Sequence, residues 1–192
     1  MKGLEIRKNG GESMRIGAED GLLLVMFNHI DRLGITDLHA CVTEYETGDR
    51  YRYVSENISE GDVYEIRYTE FDNASTPIRL DKKGEGPIKR REQQELVMPE
   101  YPEMEMDYKG LAVLKGWEVE LNGKSVRGAL TGGGSGIIID SKNEFLQVSF
   151  SGTPEVGTMC KWFYSELVPG DLLQIRFDEF PVETLGTPVK IF

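Results

Sequence analysis

The side chains best suited to metal or nucleophilic chemistry are few. The chain has two histidines, His29 and His39, and two cysteines, Cys41 and Cys160. His39 and Cys41 are two positions apart, so on a strand they share a face. That is half a metal site or a Cys–His pair. A transition-metal site draws on several His or Cys ligands, and no further ligand follows at a recognised spacing. We read the pair as a buried cysteine beside a satisfied histidine. No metal and no cofactor is expected.

The run Gly132-Gly133-Gly134-Ser135-Gly136 invites a phosphate-cradle reading. A cradle of that kind needs a following helix and a Lys-Ser or Lys-Thr pair. Here Ile137-Ile138-Ile139 follows, which is a strand pattern. A nucleophile elbow fails as well, because Ile137 stands where that motif needs glycine. The run is expected to be an extended loop between strands.

Carboxylates and arginines carry a stronger signal because they recur. Gly61-Asp62-Val63-Tyr64-Glu65-Ile66-Arg67-Tyr68-Thr69-Glu70-Phe71 is answered by Gly170-Asp171-Leu172-Leu173-Gln174-Ile175-Arg176-Phe177-Asp178-Glu179-Phe180. Asp62 and Asp171 read as turn residues. Glu70 and Glu179 fall at matching strand ends on the parity of the core face, and Arg67 and Arg176 face the other way. Such repeated charges are most simply structural ion pairs. Paired acids at loop ends also suit calcium, but the dense Asp-rich loops that calcium needs are missing. The aromatics Tyr51 and Tyr53 are matched in the second copy with Trp162 and Tyr164, on alternating strand positions that suit a binding face or cross-strand packing. The candidate ligand- or partner-binding residues are therefore Arg67, Glu70, Arg176, Glu179, Trp162, Tyr164, Tyr51 and Tyr53; no catalytic set is assigned.

The elements that position these residues also recur. Lys2-Gly3-Leu4-Glu5-Ile6 resembles Lys115-Gly116-Trp117-Glu118-Val119, and Asn9-Gly10 answers Asn122-Gly123. Asn-Gly between alternating residues is a strong hairpin signal. Arg15-Ile16-Gly17-Ala18 resembles Arg127-Gly128-Ala129, and the matches keep one order in both halves. The expectation is an all-β chain of two tandem duplicated β-sandwich or small-barrel modules, at 1–80 and 110–192, packed about a pseudo-two-fold axis. Residues 81–109 are a charged, Pro-containing connector. One short helix is expected over Leu23–Leu33 in the first module and another over Lys89–Leu96 in the connector. The acidic stretch 100–108, with its interleaved Met and Tyr, reads as a linker that lays apolar side chains on a domain.

Composition bounds the function. The 22 basic and 33 acidic residues leave a net charge of -11. Phosphate backbones would be repelled, so nucleic acid is not an expected partner. No apolar stretch approaches membrane-spanning length, and no apolar leader precedes the first strand pattern. With only two cysteines, a reducing cytoplasm is the expected location. The leading expectation is a non-enzymatic interaction protein, in one version an immunity-type inhibitor of a basic protein. The alternatives are a carbohydrate-like ligand site between the modules and a hydrolase using Glu70 or Glu179. Oligomeric state is not specified by the sequence.

Overall fold

The computed structural model describes residues 1–17, 19–80, 101–142, 145–154 and 158–191. The Lys89–Leu96 helix falls outside them. The fold is all-β, and the described residues form fourteen strands in two sheets. Half one supplies β1 (Lys2–Lys8), β2 (Ser13–Gly17), β3 (Gly21–Ile30), β4 (Ile35–Glu44), β5 (Arg50–Asn57), β6 (Val63–Glu70) and β7 (Ile78–Arg79). Half two supplies β8 (Val113–Leu121), β9 (Lys124–Ala129), β10 (Gly134–Lys142), β11 (Phe145–Thr153), β12 (Cys160–Leu167), β13 (Leu172–Pro181) and β14 (Val189–Lys190).

Each half places its strands in the same succession. The six-stranded sheet runs β2-β1-β6-β13-β8-β9 and the eight-stranded sheet runs β14-β12-β11-β10-β3-β4-β5-β7. Either order reads alike from both ends once each strand is exchanged for its counterpart. The halves meet edge to edge in both sheets, through β6–β13 and β3–β10. They therefore share both sheets and one core instead of packing as two closed sandwiches.

That core lies between the sheets. Ile6, Tyr64, Ile66, Trp117, Val119 and Ile175 of one sheet bury against Val25, Phe27, Leu38, Ile137, Ile139 and Phe150 of the other. Phe27 meets Tyr64 edge-on at 5.1 Å and Trp117 at 6.0 Å between centroids. Alternation along each strand produces this layer, because successive side chains point to opposite faces.

The helix expected over Leu23–Leu33 is a correction. Gly21–Ile30 is strand β3, followed by a single 3-10 turn at Asp31–Leu33. Leu23, Val25, Phe27 and His29 are buried while Leu22, Leu24, Met26 and Asn28 are half-buried. A strand apolar on both faces loses the alternation that marks it, and its run of Leu, Val and Phe resembles a helix. The glycine run is corrected too: Gly134, Ser135 and Gly136 lie inside β10. Added bulk at Gly136 would meet the Phe27 carbonyl at 2.5 Å, so close strand approach explains that glycine.

The repeated turn residues close on one another. Asn9 and Asn122 both adopt φ 50. The Asn9 amide donates to Asp62 at 2.7 Å and accepts from the Val63 N–H at 2.8 Å. Asn122 does the same with Asp171 at 2.7 Å and Leu172 at 3.1 Å. Asp62 and Asp171 each also accept a backbone N–H, from Ser59 and Val168, at 2.8 Å. The Asn-Gly hairpin and the Gly-Asp turn thus form one clasp, which accounts for the recurrence of both without any ligand.

Candidate functional site

The recurring charges sit on the outside of the six-stranded sheet. Glu118 bridges Arg127 at 2.7 Å and Arg176 at 2.8 Å across neighbouring strands. In half one, Glu5 faces Arg15 at 3.6 Å, with Arg67 as its lateral neighbour on β6. Glu70 and Glu179 lie at opposite ends of the β6–β13 pair, so they do not come together. Glu70 reaches Lys2 at 3.9 Å, with both side chains largely exposed. Glu179 stands opposite Lys115, which itself pairs with Glu60 at 2.9 Å. Exposed pairs of this kind hold sheet ends and contribute little energy.

The aromatic candidates separate by ladder register. Tyr51 pairs with Arg79 of β7, and Cys160 pairs with Lys190 of β14. Tyr51 therefore corresponds to Cys160, and Tyr53 to Trp162. Both β5 and β12 carry a bulge, and Tyr53 and Trp162 are the residues the ladders skip. A bulge leaves one residue unpaired and re-aims its side chain. Here it turns both aromatics toward the core. The Tyr53 hydroxyl donates to the Gly17 carbonyl at 3.3 Å, and burial raises its pKa. The Trp162 indole stacks on Phe150 at 4.8 Å and donates to the Gly186 carbonyl at 3.1 Å. Tyr164 lies opposite Ser149 with the Lys161 ammonium 5.0 Å from its ring centre.

Two of these candidates line a cleft. Tyr51 and Tyr53 line it with Met1, Gly17, Val42 and Pro77, together with Glu19, Asp20, Glu44 and Glu46; its volume is about 540 Å³. Local structure brings the acids together. Gly21 pairs with Glu44, and the Tyr45 N–H donates to the Asp20 carbonyl at 3.3 Å, which seats the β2–β3 turn beside the β4–β5 turn. In that second turn, Thr47 donates its hydroxyl to Glu44 at 2.8 Å. Arg79, at the end of β7, is held to Asp49 at 2.6 Å. The sequence singled out the two tyrosines. In the sequence Glu19 and Asp20 read only as scattered loop acids, and their meeting with Glu44 and Glu46 is not visible, because they come from separate turns that only the sheet joins.

The corresponding place in half two is occupied. Gly17 and Ala129 are equivalent, since each pairs with the glycine of the neighbouring strand, Gly3 or Gly116. Ala129 accepts the Tyr108 hydroxyl at 3.0 Å. Burial and the neighbouring Cys160 push the Tyr108 phenol up to about 12. In the stretch leading there, Tyr101, Met104, Met106 and Tyr108 are half-buried while Glu103, Glu105 and Asp107 are exposed.

A second polar group lies buried between the sheets. His29 is 5% exposed and Ser135 6% exposed, and the two are ladder partners. His29 Nδ1 meets the Thr36 hydroxyl at 2.9 Å, its Nε2 lies 4.0 Å from Asp31, and its ring packs on Phe177 at 4.8 Å. Burial lowers its pKa. The Ser135 hydroxyl has no bond to this imidazole and no route to solvent at its burial. A nucleophile needs both, so this set is a feature of the core. His39 reaches Asp37 at 3.4 Å, and no group of three or more His, Cys, Asp and Glu among the described residues could hold a metal.

The chain matches no protein-family model, no curated protein and no solved structure.

Proposed function

We propose that this is a non-enzymatic binding protein that receives a basic protein partner at the acidic cleft. The observation that carries the reading is the convergence of Glu19, Asp20, Glu44 and Glu46 around Tyr51 and Tyr53 on a chain of net charge -11. Carboxylates on a rim attract a cationic surface at long range, and tyrosines supply apolar area and a cation-π face at contact. Restraint of a basic toxin, as an immunity-type inhibitor in the cytoplasm, is one function that suits this chemistry. The halves read as copies of one ancestral unit, supported by their matched turns and strand order. On that view the first copy kept its cleft open while the second was filled.

The test is binding of a basic protein encoded beside this one, measured at two ionic strengths. Affinity should fall steeply with salt, and joint Glu44→Gln and Glu46→Gln replacement should weaken it by about tenfold, or 1.4 kcal/mol. Equal binding by wild type and variant would overturn the assignment to this cleft. A carbohydrate site between the halves draws no support from the join, which is strand ladder in both sheets. A hydrolase using Glu70 or Glu179 draws none from two exposed carboxylates at opposite sheet ends.

A further inference from the structure

Half two shows what an occupied version of the cleft looks like. Residues 102–104 run antiparallel along β14: the Met104 N–H donates to the Pro188 carbonyl at 2.8 Å, the Lys190 N–H donates to the Pro102 carbonyl at 2.9 Å, and Glu103 stands opposite Val189. Past this added strand, Tyr108 reaches the Ala129 carbonyl. In half one the counterparts of Pro188, Val189 and Lys190 are Pro77, Ile78 and Arg79, since Arg52 pairs with Ile78 as Lys161 pairs with Val189. The Leu80 N–H donates to Arg50 as the Ile191 N–H donates to Met159, both at close to the same length, 2.9 and 2.8 Å. The registers therefore coincide, and the Pro77 carbonyl and Arg79 N–H point outward as their counterparts do. No described residue bonds either group. Ile78 is 60% exposed, and Pro77 forms part of the cleft wall.

We infer that β7 is an acceptor edge for an extended basic segment of the partner, which adds a strand there and seats an aromatic side chain in the cleft. This deepens the proposed function and rests on it. Strand addition draws its hold from main-chain bonds and its selectivity from alternate side chains. One row of side chains would enter the cleft, as Met104, Met106 and Tyr108 lie against half two. That same row would meet the carboxylates of the cleft, because Glu44 shares the parity of Val42 and Tyr51, whereas Ile78 and Arg52 face the other way. The chain's own stretch places Met104, Met106 and Tyr108 in that row and so offers these acids no cation. A segment carrying Lys or Arg in that row supplies one.

The test uses the full chain and a labelled peptide of residues 101–109 carrying Met106→Lys in the row that enters the cleft, with Glu103→Gln, Glu105→Gln and Asp107→Asn in the other row. The peptide should bind at low salt. Methylating the backbone nitrogen of its Met104 removes the donor for Pro77 and should weaken binding by about tenfold or more, with the protein itself unaltered. Arg79→Pro should do the same, while Arg79→Ala, which loses only the side chain, should bind within about twofold of wild type. If the methylated and plain peptides bind alike and both weaken with salt and in the Glu44→Gln, Glu46→Gln variant, strand addition is overturned while the acidic cleft stands. If the plain peptide fails to bind at low salt, strand addition is likewise overturned, and the titration with the basic protein decides the cleft separately.

Discussion

Half one leaves open, around Gly17, Tyr51, Tyr53 and Pro77, what half two fills around Ala129, Cys160, Trp162 and Pro188. The ladders at the two places are alike, so the difference lies in side chains. Ile16 of β2 is fully buried, and Gly128 stands in its place on β9. A side chain at Gly128 would run into the Trp162 and Phe150 rings at 2.6 Å. The absence of a side chain there leaves room for the indole. Cys160 in place of Tyr51 leaves space beside it for Tyr108. One strand arrangement therefore carries a packed end and an open, acidic end that differ in their side chains.

The largest break in this comparison should come from Gly128→Ile, which restores the side chain of half one. It should displace the indole and cost about 3 kcal/mol, as overpacking does at its upper range. Ile16→Gly, the reverse change, should also destabilise but leave the Trp162 fluorescence maximum unmoved; urea unfolding and emission spectra separate the two. Next in size, Trp162→Ala should cost about 3 kcal/mol and Tyr53→Ala clearly less, because only the indole is stacked on Phe150. Equal costs would mean that the ends are packed alike. Tyr108→Phe removes one half-buried hydrogen bond and should cost about 1 kcal/mol by thermal unfolding.

The two clasps differ in charge. The Lys8 ammonium lies 2.8 Å from Asp62, whereas Leu121 occupies the corresponding position near Asp171. Burial works against the Asp62 charge, but Lys8, the Ser59 N–H and the Asn9 amide hold its carboxyl below the ordinary value of 3.8. Its stabilisation is present above that value and is lost as pH falls through the lowered one. Asp62→Asn should therefore flatten the acid limb of a stability–pH curve and reduce stability at neutral pH by about 1 kcal/mol. His29 acts in the same direction nearer neutrality. Its lowered pKa means that stability is full above the ordinary 6.5 and declines below it, because the unfolded imidazole takes up a proton that the buried ring resists. The smallest effect belongs to Glu70→Gln, within about 0.5 kcal/mol, because the Lys2 pair is exposed.

Much of this fold was legible where alternation was clean. Alternation puts Tyr64, Ile66 and Tyr68 in the core and Arg67 outside, and the three are buried while Arg67 is exposed. Asn9-Gly10 and Asn122-Gly123 announced their turns. β3 escaped because apolar residues occupy both of its faces. The bulges escaped too: nothing in the local pattern of Tyr51 to Val54 shows that Tyr53 is skipped, so Tyr51 was matched with Trp162 instead of Cys160. The acids of the cleft were not legible because Asp20 and Glu44 meet only through the β3–β4 pairing.

The join between the halves has a consequence for association. Were half one alone in solution, β3 and β6 would both present unpaired edges, each suited to a strand of the same kind. Its nearest match would be another copy of itself, edge to edge, in the arrangement the whole chain already shows. The connector removes that choice by holding β10 and β13 at high local concentration beside their mates. Tethering the halves decides which edge each strand meets first, and so guards the chain against open-ended assembly.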